Sequence, residues 1–272
     1  MKNIVKELKK LLMYEFSHHK TGGVYSTLQT MMAYNSNRIE GSTLTEKQTR
    51  SIFETGSTYS EGDTLFRAKD VEEMTGHFRM FNNVIKTIDE PLSEDIIKKM
   101  HFDLKIGVFE DMANGYPCGE YKNRGNRVSD VTTAKPNEVK EKMTELISLY
   151  NKKSKITLTD LAEFHTKYET IHPFQDGNGR TGRMILFKEC LKNDIMPVII
   201  LNDHKTDYYK SLDLARAEGY DKLVVFFEKE QKILYDKIYD MIISKDKIPN
   251  LVSKNETESS RNALIEKIKT LL

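Results

Sequence analysis

Residues 171–183 read Ile-His-Pro-Phe-Gln-Asp-Gly-Asn-Gly-Arg-Thr-Gly-Arg, and this stretch decides the fold around it. Apolar residues recur at helical spacing before it, in 161–171, and after it, in 184–191. The pattern predicts one helix that ends at the stretch and a second that begins near Asn178 or Gly179. A glycine-lined turn at a helix N-terminus leaves backbone N–H groups unpaired and carries a partial positive charge. The stretch is therefore predicted to bind phosphate.

The side chains of this stretch add the groups that a transfer from a nucleoside triphosphate requires. Arg180 and Arg183 lie three residues apart on one helical face, so both can reach successive phosphates. Asp176 offers a hard carboxylate for Mg²⁺. Asn178 supplies a neutral donor for an oxygen that gains charge in the transition state. His172 has a pKa suited to accepting a proton from a hydroxyl group.

Two other nucleotide-binding patterns compete for the same residues. Gly177, Gly179 and Gly182 have the spacing of a dinucleotide-binding turn, and Asp203 follows about 20 residues later. Such a turn follows a buried strand, whereas a helical pattern and Pro173 precede this one, so the dinucleotide interpretation is disfavoured. The phosphate loop of GTPases and ATPases is excluded because its Gly-Lys-Ser/Thr ending is absent. An ordinary helix start would not explain the imidazole, the carboxylate and the two guanidinium groups together.

Charge and length limit the class of protein. The chain has 272 residues, with 42 Lys and Arg against 41 Asp and Glu, and a formal net charge of +1. This balance argues against binding to nucleic acid or to a membrane surface. No apolar run approaches the ~20 residues of a membrane span, and the N-terminus lacks a signal-peptide core, so we expect a cytoplasmic protein. Cys118 and Cys190 predict neither a disulfide framework nor a thiolate metal site.

Apolar stripes with a period near 3.6 predict an all-α fold. The exception is 121–131, which glycines and prolines bracket and which predicts a β-hairpin. The short apolar run 197–201 fits either a strand or the start of a buried helix. We divide the chain into an N-terminal helical region, a catalytic core, and a C-terminal segment with a helix end, a linker and a short amphipathic tail. Their bounds are 1–90, 91–230 and 231–272.

Residues 172–183 resemble the signature of the Fic family, His-x-Phe-x-Asp/Glu-Gly-Asn-Gly-Arg-x-x-Arg, at every fixed position. The resemblance implies a mainly helical Fic (Fido) fold and a protein adenylyltransferase. Such an enzyme transfers AMP from ATP, with Mg²⁺, to a Ser, Thr or Tyr hydroxyl of a target protein or of itself. The site residues that the resemblance implies are His172, Asn178 and Arg180 for catalysis, Asp176 for the metal, and Gly177, Asn178, Gly179, Arg180, Arg183, Tyr208 and Tyr209 for ATP. The two tyrosines fit core packing equally well.

Residues 36–41, Ser-Asn-Arg-Ile-Glu-Gly, lie at the end of a predicted helix. On helix physics alone they fit an ordinary capped end, with Ser36 and Glu40 on one face and Gly41 as the terminating residue. They also resemble the motif Ser/Thr-x-x-x-Glu-Gly/Asn of the inhibitory helix that class II Fic proteins carry ahead of the catalytic core. The resemblance implies that Glu40 pairs with Arg183 in the place of the ATP γ-phosphate and holds the enzyme autoinhibited.

The resemblance also gives the predicted hairpin a role. In the family, a hairpin flap at this place holds the backbone of the target protein as an added strand beside the nucleotide. This points to Tyr121, Asn126, Val128 and Val131 as target-binding residues. Lys122 departs from the family, in which Arg is common at this position.

Three other functions stay open on the sequence. The reverse enzyme, a de-AMPylase, would use Glu40 to orient water and hydrolyse AMP from a modified protein. A kinase like the Doc branch is disfavoured, because Gly179 stands where that branch has Lys. A non-catalytic regulator that senses ATP is disfavoured by the intact His172. The target protein and any assembly into a homo-oligomer are left open, and no nucleic-acid or membrane partner is expected.

Overall fold

The computed structural model describes residues 2–59, 66–128 and 131–243, and these residues are mainly helical. The helices are α1 (Lys2–Ser17), α2 (Val24–Ile39), α3 (Glu46–Thr55), α4 (Ala68–Lys86), α5 (Glu94–Lys105), α6 (Phe109–Ala113), α7 (Pro136–Asn151), α8 (Leu158–Ile171), α9 (Asn178–Lys192), α10 (Lys205–Ala217) and α11 (Asp221–Ile243). Strands β1 (Arg127–Val128) and β2 (Val131–Thr132) pair antiparallel, with Val128 opposite Val131. The predicted all-α fold with a small hairpin is confirmed. Within the described ranges, no helix is long and apolar enough to cross a membrane.

The helix boundaries follow local capping chemistry. Thr45 begins α3 with a capping box, in which its hydroxyl accepts from the Gln48 N–H at 3.2 Å and the Gln48 side chain accepts from the Thr45 N–H at 2.9 Å. Ser93 begins α5 by accepting from the Ile96 N–H at 3.2 Å. Gly41 follows the end of α2 with φ of +89°, a conformation that favours glycine.

The hydrophobic core is one cluster of buried side chains that extends from α1 to α11. Helix α9 lies inside it, since 13 of its 15 residues are buried and its polar side chains therefore need partners within the protein. The regions 1–90 and 91–230 share this core, so their division stays a prediction about roles. The linker and the amphipathic tail predicted after residue 243 lie outside the described residues.

Helices α4 and α5 lie in close backbone contact at Gly76. A Cβ atom at this position would lie only 2.0 Å from the carbonyl oxygen of Leu104, so a side chain there would clash with backbone. Glu73 lies one turn before Gly76 on α4, and Lys105 follows Leu104 at the end of α5. The close approach therefore brings a carboxylate and an ammonium group together behind the site.

The apolar run 197–201, for which strand and helix were both open, forms neither. It has no regular secondary structure, and its Val198 and Ile200 side chains are buried. Side chains of α11 satisfy its flanking backbone groups, because Glu230 accepts from the Leu201 N–H at 3.1 Å and Gln231 donates to the Met196 carbonyl.

Candidate active site

The predicted phosphate-binding turn joins α8 to α9. His172 ends α8 with φ of +53°, a left-handed conformation that is uncommon for a residue other than glycine. Holding such a residue there costs about 1–3 kcal/mol, which the surrounding contacts must offset. Gly177 is left-handed too, at φ of +80°, and precedes the first residue of α9, Asn178. The second helix therefore begins where the sequence predicted.

The loop between the two helices is braced from inside. The Asn178 side chain accepts from the Phe174 N–H at 2.7 Å and donates to the Phe174 carbonyl at 2.8 Å. The fully buried Phe174 ring stacks on His101, with ring centroids 3.9 Å apart. His101 accepts from the Gly119 N–H at 3.0 Å, so its other nitrogen donates to the Asp176 carbonyl at 3.0 Å. Asn178 thus serves as a loop brace here, and its role as a donor to substrate stays a prediction.

Arg183 lies one turn into α9 and contacts the end of α2. Its Nη2 donates to Glu40 Oε1 at 2.7 Å and to the Ser36 carbonyl at 3.0 Å, and its Nε donates to Ser36 Oγ at 3.0 Å. Burial lowers the pKa of Arg183, but the Glu40 charge, the neighbouring tyrosines and the hydrogen bond to Glu40 together outweigh it, so the pKa is raised above its ordinary value. Ser36 and Glu40, the two residues of the inhibitory-helix motif, therefore both contact Arg183.

The Glu40 carboxylate lies over the first turn of α9. A Cβ atom on Gly179 would lie 2.3 Å from Glu40 Oε1 and 2.9 Å from Arg183 Nη1, so glycine at this position leaves room for an oxygen. A helix N-terminus favours negative charge at this place, whether from a carboxylate or from a phosphate. The Glu40 side chain is 32% exposed, so this anion lies at the rim of the site.

Arg180 has a different set of partners. Its Nη1 lies 2.6 Å from Glu73 Oε2 and donates to Asn37 Oδ1 at 3.3 Å, and its Nη2 donates to Asp176 Oδ2 at 3.4 Å. Lys105 Nζ lies 2.7 Å from both Glu73 Oε1 and Asp176 Oδ2. Arg180 is thus buried and paired with carboxylates of the protein, and its contact with phosphate stays a prediction.

Asp176 is kept ionised by these neighbours. Burial raises the pKa of Asp176, but the charges of Arg180 and Lys105 outweigh it and hold the pKa well below its ordinary value. Across the described ranges, no group of three or more His, Cys, Asp or Glu side chains could hold a metal by itself. A single ionised carboxylate still fits Mg²⁺, which proteins bind through one or two carboxylates together with substrate phosphates and water.

His172 is a neutral base. Burial, and after it the charge of Lys122, lowers the pKa of His172 to about 4, so the imidazole is unprotonated at pH 7. Its Nδ1 is buried. Lys122 is fixed in place by the side chains of Asn126, at 2.6 Å, and Thr133, at 3.0 Å. The site therefore offers an imidazole that can accept a proton.

The predicted target-binding residues divide into two pairs. The Tyr121 ring lies 5.7 Å from the Phe174 ring, and Asn126 donates to the Phe174 carbonyl at 2.9 Å, so both contact the braced loop. Val128 and Val131 are partners in the backbone pairing of β1 with β2. The hairpin is thus tied directly to the turn that carries His172, while binding of a target protein stays a prediction.

The two tyrosines proposed for adenosine have different surroundings. Tyr208 is fully buried, and its hydroxyl lies 2.8 Å from His165 Nε2, which favours the packing interpretation for this residue. Tyr209 is half-buried, and burial followed by the charge of Glu40 raises its pKa to about 12. Tyr209 is therefore the better candidate for a contact with nucleotide.

Several residues of the site escaped the sequence analysis. Glu73 and Lys105 form the carboxylate and ammonium support of Arg180 and Asp176, and His101 fixes the loop. Their spacing in the sequence could have identified these residues. His101 and Lys105 lie four residues apart on α5, and Glu73 precedes the buried His77 by four residues on α4. A charged side chain on the buried face of a helix needs a partner of opposite charge.

The fold and the site together define a mainly helical domain with a phosphate-binding turn between two central helices. Residues 91–189 match the family model described as Fic/DOC family. Over these residues the chain is therefore similar to the Fic/DOC family.

Known proteins show the same similarity. The chain is 28% identical over 247 residues to the protein adenylyltransferase fic-1 of Caenorhabditis elegans, covering 87% of this chain and 47% of that protein. It is 28% identical over 187 residues to the protein adenylyltransferase Fic of Nematostella vectensis, covering 67% of this chain and 42% of that protein. The chain spans about half the length of the curated relatives it matches. The crystal structure of a Fic domain-containing signaling protein from Bacteroides thetaiotaomicron matches the fold with a TM-score of 0.67 at 24% identity, covering 89% of this chain and 94% of that chain.

Proposed function

We propose that this protein is a protein adenylyltransferase, which transfers AMP from ATP to a hydroxyl side chain of a target protein and is autoinhibited by Glu40. The observation that carries the proposal is the position of the Glu40 carboxylate, 2.7 Å from Arg183 over the first turn of α9. A site that holds a carboxylate between a helix N-terminus and a guanidinium group is suited to a phosphate group. The curated relatives named protein adenylyltransferase support the same activity.

The residues of the turn have separate parts in binding ATP. The unpaired backbone N–H groups at the start of α9 and the Arg183 guanidinium would hold phosphate oxygens once Glu40 has moved away. Asp176 would hold Mg²⁺, which when bound neutralises charge on the phosphates. Arg180 keeps Asp176 oriented from inside. Tyr209, at the edge of the site, is the candidate contact for the adenosine.

The chemical step uses His172 as a general base. Because Nδ1 is buried, Nε2 is the atom that accepts the proton of the attacking Ser, Thr or Tyr hydroxyl. The hydroxyl oxygen forms a bond to the α-phosphorus, the bond from that phosphorus to the oxygen bridging the β-phosphate breaks, and pyrophosphate leaves with the electron pair. The hairpin, tied to the loop through Asn126, would present the target backbone beside this centre.

Glu40 would inhibit by competition for Arg183. While the carboxylate remains on Arg183, the outermost phosphate of ATP lacks its guanidinium partner, and the α-phosphorus is not held in line for attack. A charge-assisted contact worth a few kcal/mol suppresses turnover by orders of magnitude, since ~1.4 kcal/mol corresponds to tenfold.

Labelled ATP tests the proposal. The Glu40→Gly variant, incubated with ATP labelled at the α-phosphate, is expected to label itself or proteins of a lysate far more strongly than the unchanged protein. ATP labelled at the γ-phosphate should give no labelling, because the γ-phosphate leaves with pyrophosphate. Labelling from γ-labelled ATP alone would show a kinase, and equal α-labelling of both proteins would remove the inhibitory role of Glu40.

The reverse reaction is a second candidate, favoured by the position of the Glu40 carboxylate inside the site, where it could orient a water molecule. The unchanged protein would then release AMP from a protein modified by the Glu40→Gly variant, and the variant would not. Release by neither protein would leave transfer of AMP as the proposed activity.

A further inference from the structure

Glu73 lies on α4, outside residues 91–189 that match the family model, yet its carboxylate contacts the signature arginine of the turn. One oxygen, Oε2, lies 2.6 Å from Arg180 Nη1, and the other, Oε1, lies 2.7 Å from Lys105 Nζ. The three side chains are 9%, 3% and 2% exposed, so water competes little for these charges. Each oxygen of Glu73 therefore holds one buried cation.

The two cations held by Glu73 both reach Asp176. Lys105 Nζ lies 2.7 Å and Arg180 Nη2 lies 3.4 Å from the same oxygen, Asp176 Oδ2. Lys105 has a third carboxylate partner in Asp111, at 2.6 Å. Glu73 and Asp176 are thus linked through two parallel bridges, each made of one cation. A carboxylate that is held at one oxygen by two fixed cations loses freedom to rotate.

The backbone is arranged to permit this contact. Gly76, one turn after Glu73, lets α4 lie directly against the Leu104 carbonyl, where a Cβ atom would come within 2.0 Å. The close packing brings the Glu73 side chain within reach of the end of α5. A longer distance between the helices would leave Lys105 short of one of its three carboxylates.

We propose that Glu73 is a positioning residue of the nucleotide site, which holds Arg180 and Lys105 so that Asp176 stays oriented toward the metal and phosphates of ATP. This inference rests on the proposed function and goes beyond it. The N-terminal region would then supply two carboxylates with opposite effects. Glu40 blocks Arg183 from outside, whereas Glu73 supports Arg180 from inside and remains when Glu40 leaves.

Calorimetry of ATP binding, with and without Mg²⁺, tests the proposal in the Glu40→Gly background. Glu73→Gln keeps the size of the side chain but removes its charge. The matched control is Glu72→Gln, at the neighbouring position on α4, where the side chain accepts from the Phe109 N–H and does not contact the turn. We expect Glu73→Gln to reduce the gain in ATP affinity that Mg²⁺ provides by about 10- to 100-fold, as removal of groups that orient metal ligands does. Glu72→Gln should leave that gain unchanged.

An unchanged Mg²⁺-dependent gain in a folded Glu73→Gln variant would overturn the proposal. If that variant fails to fold, the double variant Glu73→Gln and Lys105→Met, which removes one charge of each sign, takes its place in the same calorimetry. A larger loss of the gain in the double variant than in Lys105→Met alone supports the proposal, and an equal gain in the two overturns it.

A crystal structure of the Glu40→Gly and Glu73→Gln double variant tests the positioning directly, without ATP. The expected result is a displaced Asp176 carboxylate and a displaced Arg180 guanidinium, relative to the Glu40→Gly parent. If neither group moves, Glu73 does not position them, whatever the parent does with ATP. If they move and the parent transfers no AMP, the proposed function fails while the positioning by Glu73 stands.

Discussion

Arg180 and Arg183 lie three residues apart on α9, and each pairs with a carboxylate from the N-terminal region. Arg183 meets Glu40, which is 32% exposed, whereas Arg180 meets Glu73, which is 9% exposed and also holds Lys105. Where water still reaches one partner, as at Glu40, a hydrogen bond to a charged group contributes about 1.5–3 kcal/mol, whereas removing one partner of a fully buried pair costs about 3–5 kcal/mol. The same chemistry therefore gives a contact that a ligand can displace at the rim and a fixed support in the interior.

The environment of each pair thus decides its role. A competing phosphate can approach Glu40 from solvent, take over the Arg183 guanidinium and leave the carboxylate hydrated. A phosphate cannot displace Glu73 in this way, because the release of Glu73 would take one carboxylate partner away from each of two buried cations. Substitutions at the two carboxylates and at the residues around them test whether the two ion pairs differ in this way.

Replacing His172 with Ala in the Glu40→Gly variant should give the largest effect on activity. Loss of a general base lowers rates by about 10²–10⁴-fold, so α-label incorporation should become undetectable. ATP binding measured by calorimetry should persist, because neither arginine has changed. Labelling that survives in this variant would show that another group accepts the proton.

The stability of the two carboxylate variants separates the two pairs. Glu73→Ala should lower the free energy of unfolding by about 3–5 kcal/mol, because it takes one carboxylate away from both Arg180 and Lys105 in the interior. Glu40→Ala should lower it less, by about 1.5–3 kcal/mol, because water can reach this carboxylate. Urea unfolding of both variants beside the unchanged protein provides the measurement. Equal losses would mean that burial does not distinguish the pairs.

Acid should destabilise the protein through buried histidines. Burial lowers the pKa of His77, His101 and His165 to about 3, and that of His172 to about 4, from an ordinary value of 6.5. Their neutral forms stabilise the fold above pH 6.5, and this stability is lost as the pH falls toward the lowered values, by roughly 1 kcal/mol per histidine and pH unit.

Glu169 acts in the opposite direction in this range. Burial raises its pKa from 4.5 to about 7, so its contribution to stability is present at low pH and is lost as the pH rises through 7. Because four imidazoles stabilise the fold at higher pH and one carboxyl group stabilises it at lower pH, acidification should lower the free energy of unfolding. Urea unfolding at pH 7 and at pH 5.5 should show it, and equal stability at both values would contradict the neutral state of these histidines.

Ser36→Ala should have the smallest effect. It removes the hydroxyl that accepts from Arg183 Nε but keeps the backbone contact and Glu40. A hydrogen bond to a neutral group contributes about 0.5–1.5 kcal/mol, so inhibition should weaken by about 2- to 10-fold. The α-label assay measures this, with Ser42→Ala, on the same segment, as a control that leaves Arg183 untouched. A release as large as that of Glu40→Gly would shift the inhibitory role to Ser36.

Local chemistry made much of the fold predictable. The start of α9 at Asn178 and the hairpin near 121–131 follow from patterns within a few residues, and the structure has both of them. The contact between Glu40 and Arg183 was expected from the family resemblance alone. No local pattern specifies which residues meet across 143 positions of chain.

The interior support of the site could not be predicted for the same reason. Glu73 and Lys105 are ordinary charged residues in their own helices, and they meet because Gly76 lets α4 and α5 approach closely. Asn178 was assigned to the substrate because of its residue type, whereas the conformation of the loop turns its amide toward Phe174. Side-chain direction in a tight loop depends on backbone geometry that spacing in the sequence does not determine.

The central claim is that Glu40 occupies the place of an ATP phosphate at Arg183. A crystal structure of the Glu40→Gly variant with Mg²⁺ and the α,β-methylene analogue of ATP, which cannot donate AMP, tests it most directly. The account predicts phosphate oxygens on the Arg183 guanidinium and the first turn of α9, with the α-phosphorus facing His172. A nucleotide whose phosphates lie away from Arg183, or a turn left empty at saturating analogue, would contradict it.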